Sequence, residues 1–221
     1  MPAHRRGLFF TFEGGEGAGK STQAAMLTQR MEQGGLNVLQ LREPGGTPLG
    51  DYLREWLKSS RSPLTPEAEL FLFVAARAEL VRAVIQPALD AGTAVVLDRY
   101  ADSTTVYQGM GRRLDRRIVA AANRMATGGL QPDLTVLLDL PPVEGLQRAA
   151  GRDGEGNDER RFEEADLGFH RRVRQGFLRL AKRSPERWLI VDATLPVETV
   201  AAQIWERARQ ALPAASGRPA P

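Results

Sequence analysis

The sequence of 221 residues contains no cysteine, three lysines and two histidines, and it has no long apolar run. The lack of cysteine excludes disulfides, a thiolate nucleophile and any zinc or iron–sulfur site held by cysteine. The apolar stretch 8–12 is too short for a signal peptide, and no stretch reaches the roughly 18 apolar residues of a membrane-spanning helix. We therefore expect a cytoplasmic protein without a membrane partner.

The positive charge of the chain is carried almost entirely by arginine, with 27 arginines against three lysines. Because 27 acidic residues offset the 30 basic ones, the formal net charge is only +3 at pH 7. The one dense arginine cluster contains Arg112, Arg113, Arg116 and Arg117. We interpret it as surface charge at the start of a helix. No nucleic-acid partner is expected, because a protein that binds nucleic acid usually presents a concentrated basic stripe, and this sequence has none.

Short apolar runs alternate with amphipathic stretches along the chain. The predicted strands are 8–12, 37–41, 94–97, 135–138 and 188–191, and the predicted helices are 20–33, 66–90 and 197–212. This alternation is typical of a parallel sheet with helices on both faces. The sequence therefore predicts a single α/β domain over residues 1–212, followed by a disordered tail over 213–221.

A glycine-rich segment lies between the first predicted strand and the first predicted helix. It reads Gly14-Gly15-Glu16-Gly17-Ala18-Gly19-Lys20-Ser21 and fits the P-loop pattern G-x-x-x-x-G-K-S. The glycines let backbone N–H groups turn toward a phosphate, Lys20 would neutralise phosphate oxygens, and the Ser21 hydroxyl would bind Mg²⁺. The segment therefore predicts nucleotide binding.

The remaining sequence narrows the class of nucleotide-binding protein. None of the three lysines follows an asparagine, so the Asn-Lys-x-Asp motif that reads guanine is absent, as is the Leu-Ser-Gly-Gly motif of transporters. The chain is also short for a motor or a helicase. A small-molecule kinase is the class that these features favour.

Charged residues follow the other predicted strands. The block Arg42-Glu43-Pro44-Gly45-Gly46-Thr47 follows the second strand, and Asp98-Arg99-Tyr100 follows the third. Because ligands of such sheets bind at the carboxyl ends of the strands, we expect these blocks beside the P-loop. Asp139 after the fourth strand is a second candidate for the magnesium ligand. It ranks behind Asp98 because two prolines follow it, as in a turn into a helix.

Three blocks together resemble the bacterial thymidylate kinases: Phe12-Glu13 with the P-loop and Thr22, the block 42–47, and the block 98–100. The resemblance extends from Phe9 to about Leu212. It implies a three-layer P-loop kinase fold with a five-stranded parallel sheet and a mobile lid, a homodimer, and Mg²⁺-dependent transfer of the γ-phosphoryl group of ATP to dTMP. The alternatives are a kinase for a different nucleoside monophosphate and a nucleotide-dependent nucleic-acid-binding module.

The resemblance also implies roles for individual residues. On the ATP side it implies the loop residues 14–22, with Arg148 lying along adenine, while Ser21 and Asp98 would hold the metal. On the dTMP side it implies Glu43, Phe73, Arg77, Arg99, Thr104, Tyr107 and Gln108. Phe73 would stack on thymine, Arg77 would donate to a thymine carbonyl, and Arg99 would hold the phosphate. Thr104 and Gln108 would surround the base, Tyr107 would pack beside the deoxyribose, and Glu43 would lie near the sugar and phosphate.

The segment 148–161 is predicted to be a lid with glycine hinges. The variable P-loop positions hold Glu16 and Ala18, so the loop supplies no extra cation, whereas the lid contains several arginines. We predict that Arg152 and Arg161, or Arg160 in place of Arg161, act with Lys20 and Arg99 on the transferred phosphate. A charged loop without such a role is the alternative.

Overall fold

The structure is a computed structural model that describes residues 6–59, 63–151, 162 and 165–212. Its sheet contains five parallel strands in the order β2-β3-β1-β4-β5. Their bounds are β1 Phe9–Gly14, β2 Val38–Arg42, β3 Ala94–Asp98, β4 Leu134–Asp139 and β5 Trp188–Asp192. The predicted α/β class and the five-stranded parallel sheet are confirmed, with strand ends shifted by two residues at most.

Helices connect the strands and cover both faces of the sheet. They are α1 Lys20–Gln33, α2 Pro48–Ser59, α3 Pro66–Leu80, α4 Gln86–Asp90, α5 Ala101–Thr104, α6 Arg116–Thr127, α7 Pro142–Ala150, α8 Leu167–Arg183 and α9 Val197–Ala208. A π-helical turn over Val81–Ile85 joins α3 to α4, so the helix predicted over 66–90 is one continuous stretch. A second π-helical segment, Thr105–Gly111, continues α5. Neither α2 nor the helical stretch 101–111 was predicted from the sequence.

The core lies on both faces of the sheet because successive strand residues point in opposite directions. In β1, Phe10 and Phe12 pack with residues of α1 and α9, whereas Phe9 packs on the other face with residues of α3 and α4. All three side chains are fully buried, and each such burial contributes about 1.5–3 kcal/mol. This two-sided burial explains why the strands are apolar with few polar interruptions.

The carboxyl ends of the strands form the edge that carries the charged residues. The central strand β1 pairs with β3 on one side and with β4 on the other. The P-loop follows β1, Glu43 follows β2, and Arg99 follows β3, so the predicted blocks do share one edge. Among the residues that the structure describes, no helix has the length and apolar character needed to cross a membrane.

Candidate active site

The P-loop turns tightly between β1 and α1. Gly17 has φ +68°, and a Cβ at this position would lie 2.1 Å from the carbonyl oxygen of Gly145 in α7, so only glycine fits here. The Lys20 Nζ donates to the carbonyl oxygen of Gly15 at 2.9 Å, which holds the ammonium group beside the loop. The first turn of α1 contains no acidic residue, so its N-terminal N–H groups and positive dipole end suit a phosphate.

Ser21 and Asp98 meet beside the P-loop. The Ser21 hydroxyl donates to Asp98 Oδ2 at 2.5 Å, while Asp98 Oδ1 is buried and has no hydrogen-bond partner within the described residues. A buried carboxylate oxygen without a donor is costly, and a cation relieves that cost. Hydroxyl and carboxylate oxygens are ligands that Mg²⁺ accepts alongside substrate phosphates. These two side chains therefore fit the predicted magnesium ion.

Asp139, the other candidate for the magnesium ligand, has a different partner. Its two oxygens accept hydrogen bonds from Nε and Nη2 of Arg174 in α8, at 2.7 and 2.9 Å. This bidentate ion pair joins β4 to α8 and already supplies both carboxylate oxygens with a positive partner. The contrast with Asp98 Oδ1 favours Asp98 as the metal ligand.

Arg99, Glu16 and Tyr107 form a cluster between the P-loop and the segment 105–111. Arg99 Nη2 donates to Glu16 Oε2 at 2.6 Å, and the Tyr107 hydroxyl donates to Glu16 Oε1 at 2.7 Å. The Arg99 guanidinium also lies over the Tyr107 ring, 5.1 Å from its centroid. Glu16 was predicted to lie on the ATP side because it belongs to the P-loop. In the structure, the Glu16 carboxylate contacts two residues of the predicted dTMP side.

Arg77 is 2% exposed, and all five of its N–H groups donate hydrogen bonds inside the protein. Nε and Nη2 donate to the Glu43 carboxylate, each at 2.8 Å or less, and Nη2 also donates to the Tyr100 carbonyl oxygen at 3.2 Å. Nη1 donates to Thr104 Oγ1 at 2.9 Å and to Asn123 Oδ1 at 3.0 Å. Burial raises the pKa of Glu43, and the Arg77 charge opposes that rise. Donation from Arg77 to a thymine carbonyl would require the exchange of one of these bonds.

A pocket beside Arg77 and Arg99 encloses about 310 Å³ of space, part of it open to solvent. The structure brings all seven residues predicted for the dTMP side to this one pocket. The lining residues are Glu43, Phe73, Arg77, Arg99, Ser103, Thr104, Tyr107, Gln108 and Phe162. Sequence reasoning missed Ser103 and Phe162. The Phe162 ring lies 5.0 Å from the Tyr107 ring and 6.1 Å from the Phe73 ring, and no local sequence signal marks it.

Glu13 in β1 is fully buried and holds the turn that carries Arg99. Its Oε1 accepts hydrogen bonds from the backbone N–H groups of Tyr100 and Ser103 at 2.9 and 3.2 Å, and its Oε2 accepts one from the Ser103 hydroxyl at 2.6 Å. Burial raises the pKa of Glu13 to about 8, and the charge of Asp102 adds to the rise. Arg99 has φ +68°, so this turn places a non-glycine residue in the left-handed region.

The arginine cluster 112–117 was predicted to be surface charge at the start of a helix. Arg113, Arg116 and Arg117 are exposed, and α6 begins at Arg116, as predicted. The prediction is wrong for Arg112. Its Nε and Nη2 donate to the two oxygens of buried Glu69 at 3.2 and 3.1 Å, and its guanidinium lies over an aromatic ring. The partner lies 43 residues earlier in the chain, so no local pattern reveals it.

The predicted lid is only partly within the described residues. Arg148, near the end of α7, donates from Nη1 to the Ala193 carbonyl oxygen at 2.9 Å, in the loop that follows β5. Its contact with adenine stays a prediction. Arg152, Arg160 and Arg161 lie outside the described residues, as does the tail 213–221.

Comparison with known proteins gives one consistent result. The family model "Thymidylate kinase" matches residues 12–204. The chain belongs to the thymidylate kinase family. The thymidylate kinase of Thermomicrobium roseum is 52% identical over 197 residues, which are 89% of this chain and 92% of the relative. The thymidylate kinase of Deinococcus radiodurans is 52% identical over 200 residues, 90% of this chain and 95% of that relative.

A solved structure extends the likeness from sequence to fold. The crystal structure of thymidylate kinase from Ehrlichia chaffeensis has a TM-score of 0.74 and 30% sequence identity, and the match covers 92% of this chain and 99% of that chain. The three-layer P-loop kinase fold expected from the resemblance is therefore confirmed. Membership of the thymidylate kinase family also confirms that the P-loop belongs to a kinase.

Proposed function

We infer that this chain transfers the γ-phosphoryl group of ATP to dTMP and gives dTDP and ADP. The observation that carries this function is the gathering of seven acceptor-side residues at one pocket that meets the P-loop at Arg99. The guanidinium of Arg99 lines the pocket and also pairs with Glu16 of the loop. A nucleotide held on the loop and a monophosphate held in the pocket would thus share one cation between their phosphates.

The acceptor phosphate needs no catalytic base. A phosphate monoester has a second pKa near about 6, so it is mostly a dianion at neutral pH and already a nucleophile. The work left to the protein is to bring two polyanions into line and to neutralise the transferred group. Lys20 and the N-terminal N–H groups of α1 hold the triphosphate, and Arg99 holds the acceptor phosphate.

The pocket supplies groups for the thymine base. Phe73 offers an aromatic face for stacking, and Gln108 offers an amide. The Thr104 hydroxyl accepts a hydrogen bond from Arg77, which leaves its own proton as a donor for a carbonyl oxygen. Tyr107, whose ring is fixed by Glu16 and Arg99, would pack beside the deoxyribose.

Mg²⁺ and the lid complete the proposed site. Ser21 and Asp98 would hold Mg²⁺, which supplies charge neutralisation at the transferred phosphate. Arg152 and Arg161, or Arg160 in place of Arg161, would add further positive charge from the lid. These assignments rest on the fit of the Asp98 and Ser21 oxygens and on the arginines of the segment 148–161.

We also propose that the protein is a cytoplasmic homodimer. Two neighbouring helices, α3 and α6, carry large exposed apolar side chains that a second copy of the chain would cover. They are Phe71, Ile118 and Met125.

The function is tested with the purified full chain in a coupled assay of ADP release. We expect ATP-dependent turnover with dTMP and much less with UMP, CMP or AMP. Replacement of Lys20 by Met removes one fixed charge at the transferred phosphate, and we expect kcat with dTMP to fall by about 10²–10³-fold.

Lys182→Met is the matched control, because Lys182 is exposed on α8, far from the P-loop in sequence. This variant should keep wild-type kcat. Equal turnover with CMP and dTMP would contradict thymine selectivity. Undiminished dTDP production by the Lys20→Met protein would contradict the whole assignment of the loop.

A further inference from the structure

A buried carboxylate behind the pocket holds the side chain of Gln108. Gln108 Nε2 donates to Oε1 of Glu69 in α3 at 2.8 Å, and the two residues are 2% and 1% exposed. Among the described residues, the pocket lining includes Gln108 and does not include Glu69. The hydrogen bond to the amide of Gln108 therefore links Glu69 to a side chain that lines the pocket.

Arg112 provides the positive charge that pairs with the Glu69 carboxylate. Its guanidinium forms a two-point ion pair with the carboxylate and is held over the rings of Phe162 and Phe169, at 5.7 and 4.9 Å from their centroids. An ionised carboxylate can only accept hydrogen bonds. The amide of Gln108 must therefore turn its NH₂ group toward Glu69 and its carbonyl oxygen away.

This orientation decides what the pocket offers to a base. Gln108 Oε1 accepts no hydrogen bond from the described part of the chain, and Gln108 lines the pocket. A glutamine that can rotate by a half-turn about its last bond offers either an oxygen or an N–H group at the same place. Such an amide would pair with the N3–H of thymine in one orientation and with the N3 acceptor of cytosine in the other.

We propose that Glu69 is a specificity-positioning residue, which fixes the Gln108 amide so that its oxygen faces the base. The pocket then favours a base with an imide N–H, as in thymine and uracil, and disfavours cytosine, whose N3 would meet a second acceptor. This inference rests on the proposed function, since it assumes that Gln108 faces the base of the acceptor nucleotide. Glu69 touches neither substrate, so it acts by positioning alone.

The test is a Glu69→Gln variant assayed with dTMP, dUMP and dCMP. A neutral amide at position 69 can pair with Gln108 in either orientation, so the amide is no longer fixed. We expect the ratio of kcat/KM for dTMP to kcat/KM for dCMP to fall about tenfold or more. The ratio of kcat/KM for dTMP to kcat/KM for dUMP should stay within about twofold of its wild-type value, because both bases present the same imide edge. A loss of folded protein lowers all three rates equally and leaves both ratios unchanged.

Three further variants make the test decisive. Glu79→Gln makes the same change at an exposed position of the same helix and should keep both ratios. The exchange Glu69→Gln with Gln108→Glu restores an acceptor-only group at position 108 and should recover selectivity against dCMP. If Glu69→Gln does not fold, Glu69→Gln with Arg112→Met removes both charges of the ion pair, and the same ratios are measured.

The possible results separate two failures. An unchanged dTMP to dCMP ratio in folded Glu69→Gln protein, or no recovery in the exchange variant, overturns the role of Glu69. A wild-type protein that does not phosphorylate dTMP overturns the proposed function instead, before any variant is compared.

Discussion

At the residue scale, three buried carboxylates of the site, Glu13, Glu16 and Glu43, are each matched by a cation or by several donors. Glu43 is paired with Arg77, and Glu16 with Arg99, over sequence separations of 34 and 83 residues. Burial of a lone charge would be costly, so removal of one partner leaves the other destabilised. Glu13 differs from the rest because backbone and hydroxyl donors surround it and burial raises its pKa to about 8.

The raised pKa of Glu13 predicts a pH-dependent contribution to stability. A glutamate with a pKa of about 8 in the folded state and about 4.5 when unfolded binds its proton more tightly when folded. Its contribution to the free energy of unfolding is therefore full below pH 4.5 and is lost as the pH rises through 8. Glu13→Gln mimics the protonated form. We expect its melting temperature, relative to that of the wild type, to rise between pH 6 and pH 9.

Thermal melts of both proteins at several pH values in this range measure that difference. Glu67→Gln, at an exposed position of α3, is the control and should show a constant offset from the wild type. A constant offset for Glu13→Gln would show that Glu13 titrates alike in the folded and unfolded chain.

The residue types of the site were predictable, whereas their partners were not. Phe73, Thr104 and Gln108 could be placed at the acceptor because the chain resembles the thymidylate kinases. The ion pair of Arg112 with Glu69 could not, because an arginine-rich hexapeptide looks the same whether its side chains meet solvent or a buried carboxylate. The contact of Glu16 with Tyr107 depends on the path of the P-loop, which a motif does not specify.

At the element scale, the helical stretch 101–111 shapes the acceptor pocket. Its second part is π-helical, and the consecutive residues Tyr107 and Gln108 both line the pocket. A π-helical turn is wider than an α-helical one and is frequent at functional sites. Apolar periodicity predicts regular α-helices, so the sequence could not reveal a segment whose turn departs from that period.

The contact of α7 with the P-loop predicts a defect that is specific to ATP. A Cβ added at Gly145 would lie 2.3 Å from the carbonyl oxygen of Glu16, so the loop backbone must shift in a Gly145→Ala variant. We expect a loss of about 1–3 kcal/mol in the free energy of unfolding, typical of overpacking. We also expect a higher KM for ATP with a smaller change in the KM for dTMP.

Melting curves and steady-state kinetics with each substrate varied in turn measure these effects. Gly34→Ala is the control, because a Cβ there would come no closer than 3.2 Å to another atom and lies beyond α1, away from the loop. Equal effects of the two substitutions on the KM for ATP would argue against tight packing between α7 and the loop.

At the scale of the whole molecule, the order of the strands brings distant blocks together. β1 lies at the centre with β3 and β4 on either side, so the P-loop, Asp98 and Asp139 all emerge at one edge. Strand positions were predictable because buried strands leave apolar runs in the sequence. The edge was predictable because parallel strands share a direction. The surface that a second chain would cover could not be predicted in this way, because it leaves no such pattern in the sequence.

That surface can be sought in the exposed apolar side chains of α3 and α6, two helices that pack against each other. Phe71 on α3 is 63% exposed and Met125 on α6 is 77% exposed, and Ile118 lies two turns before Met125 on the same stripe of α6. Large side chains exposed on neighbouring helices are typical of an interface, which for a stable dimer covers about 800 Å² per partner. We therefore expect the wild type to sediment at about twice its chain mass of 24.3 kDa.

The double variant Phe71→Asp with Met125→Asp tests this dimer. Two carboxylates in each copy would have to be buried against the other, so we expect a monomer at micromolar concentration in sedimentation equilibrium, with a normal circular dichroism spectrum. Val197→Asp is the control, because Val197 is also exposed and apolar but begins α9, which covers the opposite face of the sheet. A dimer that survives the double variant, or that Val197→Asp dissociates, would move the interface away from α3 and α6.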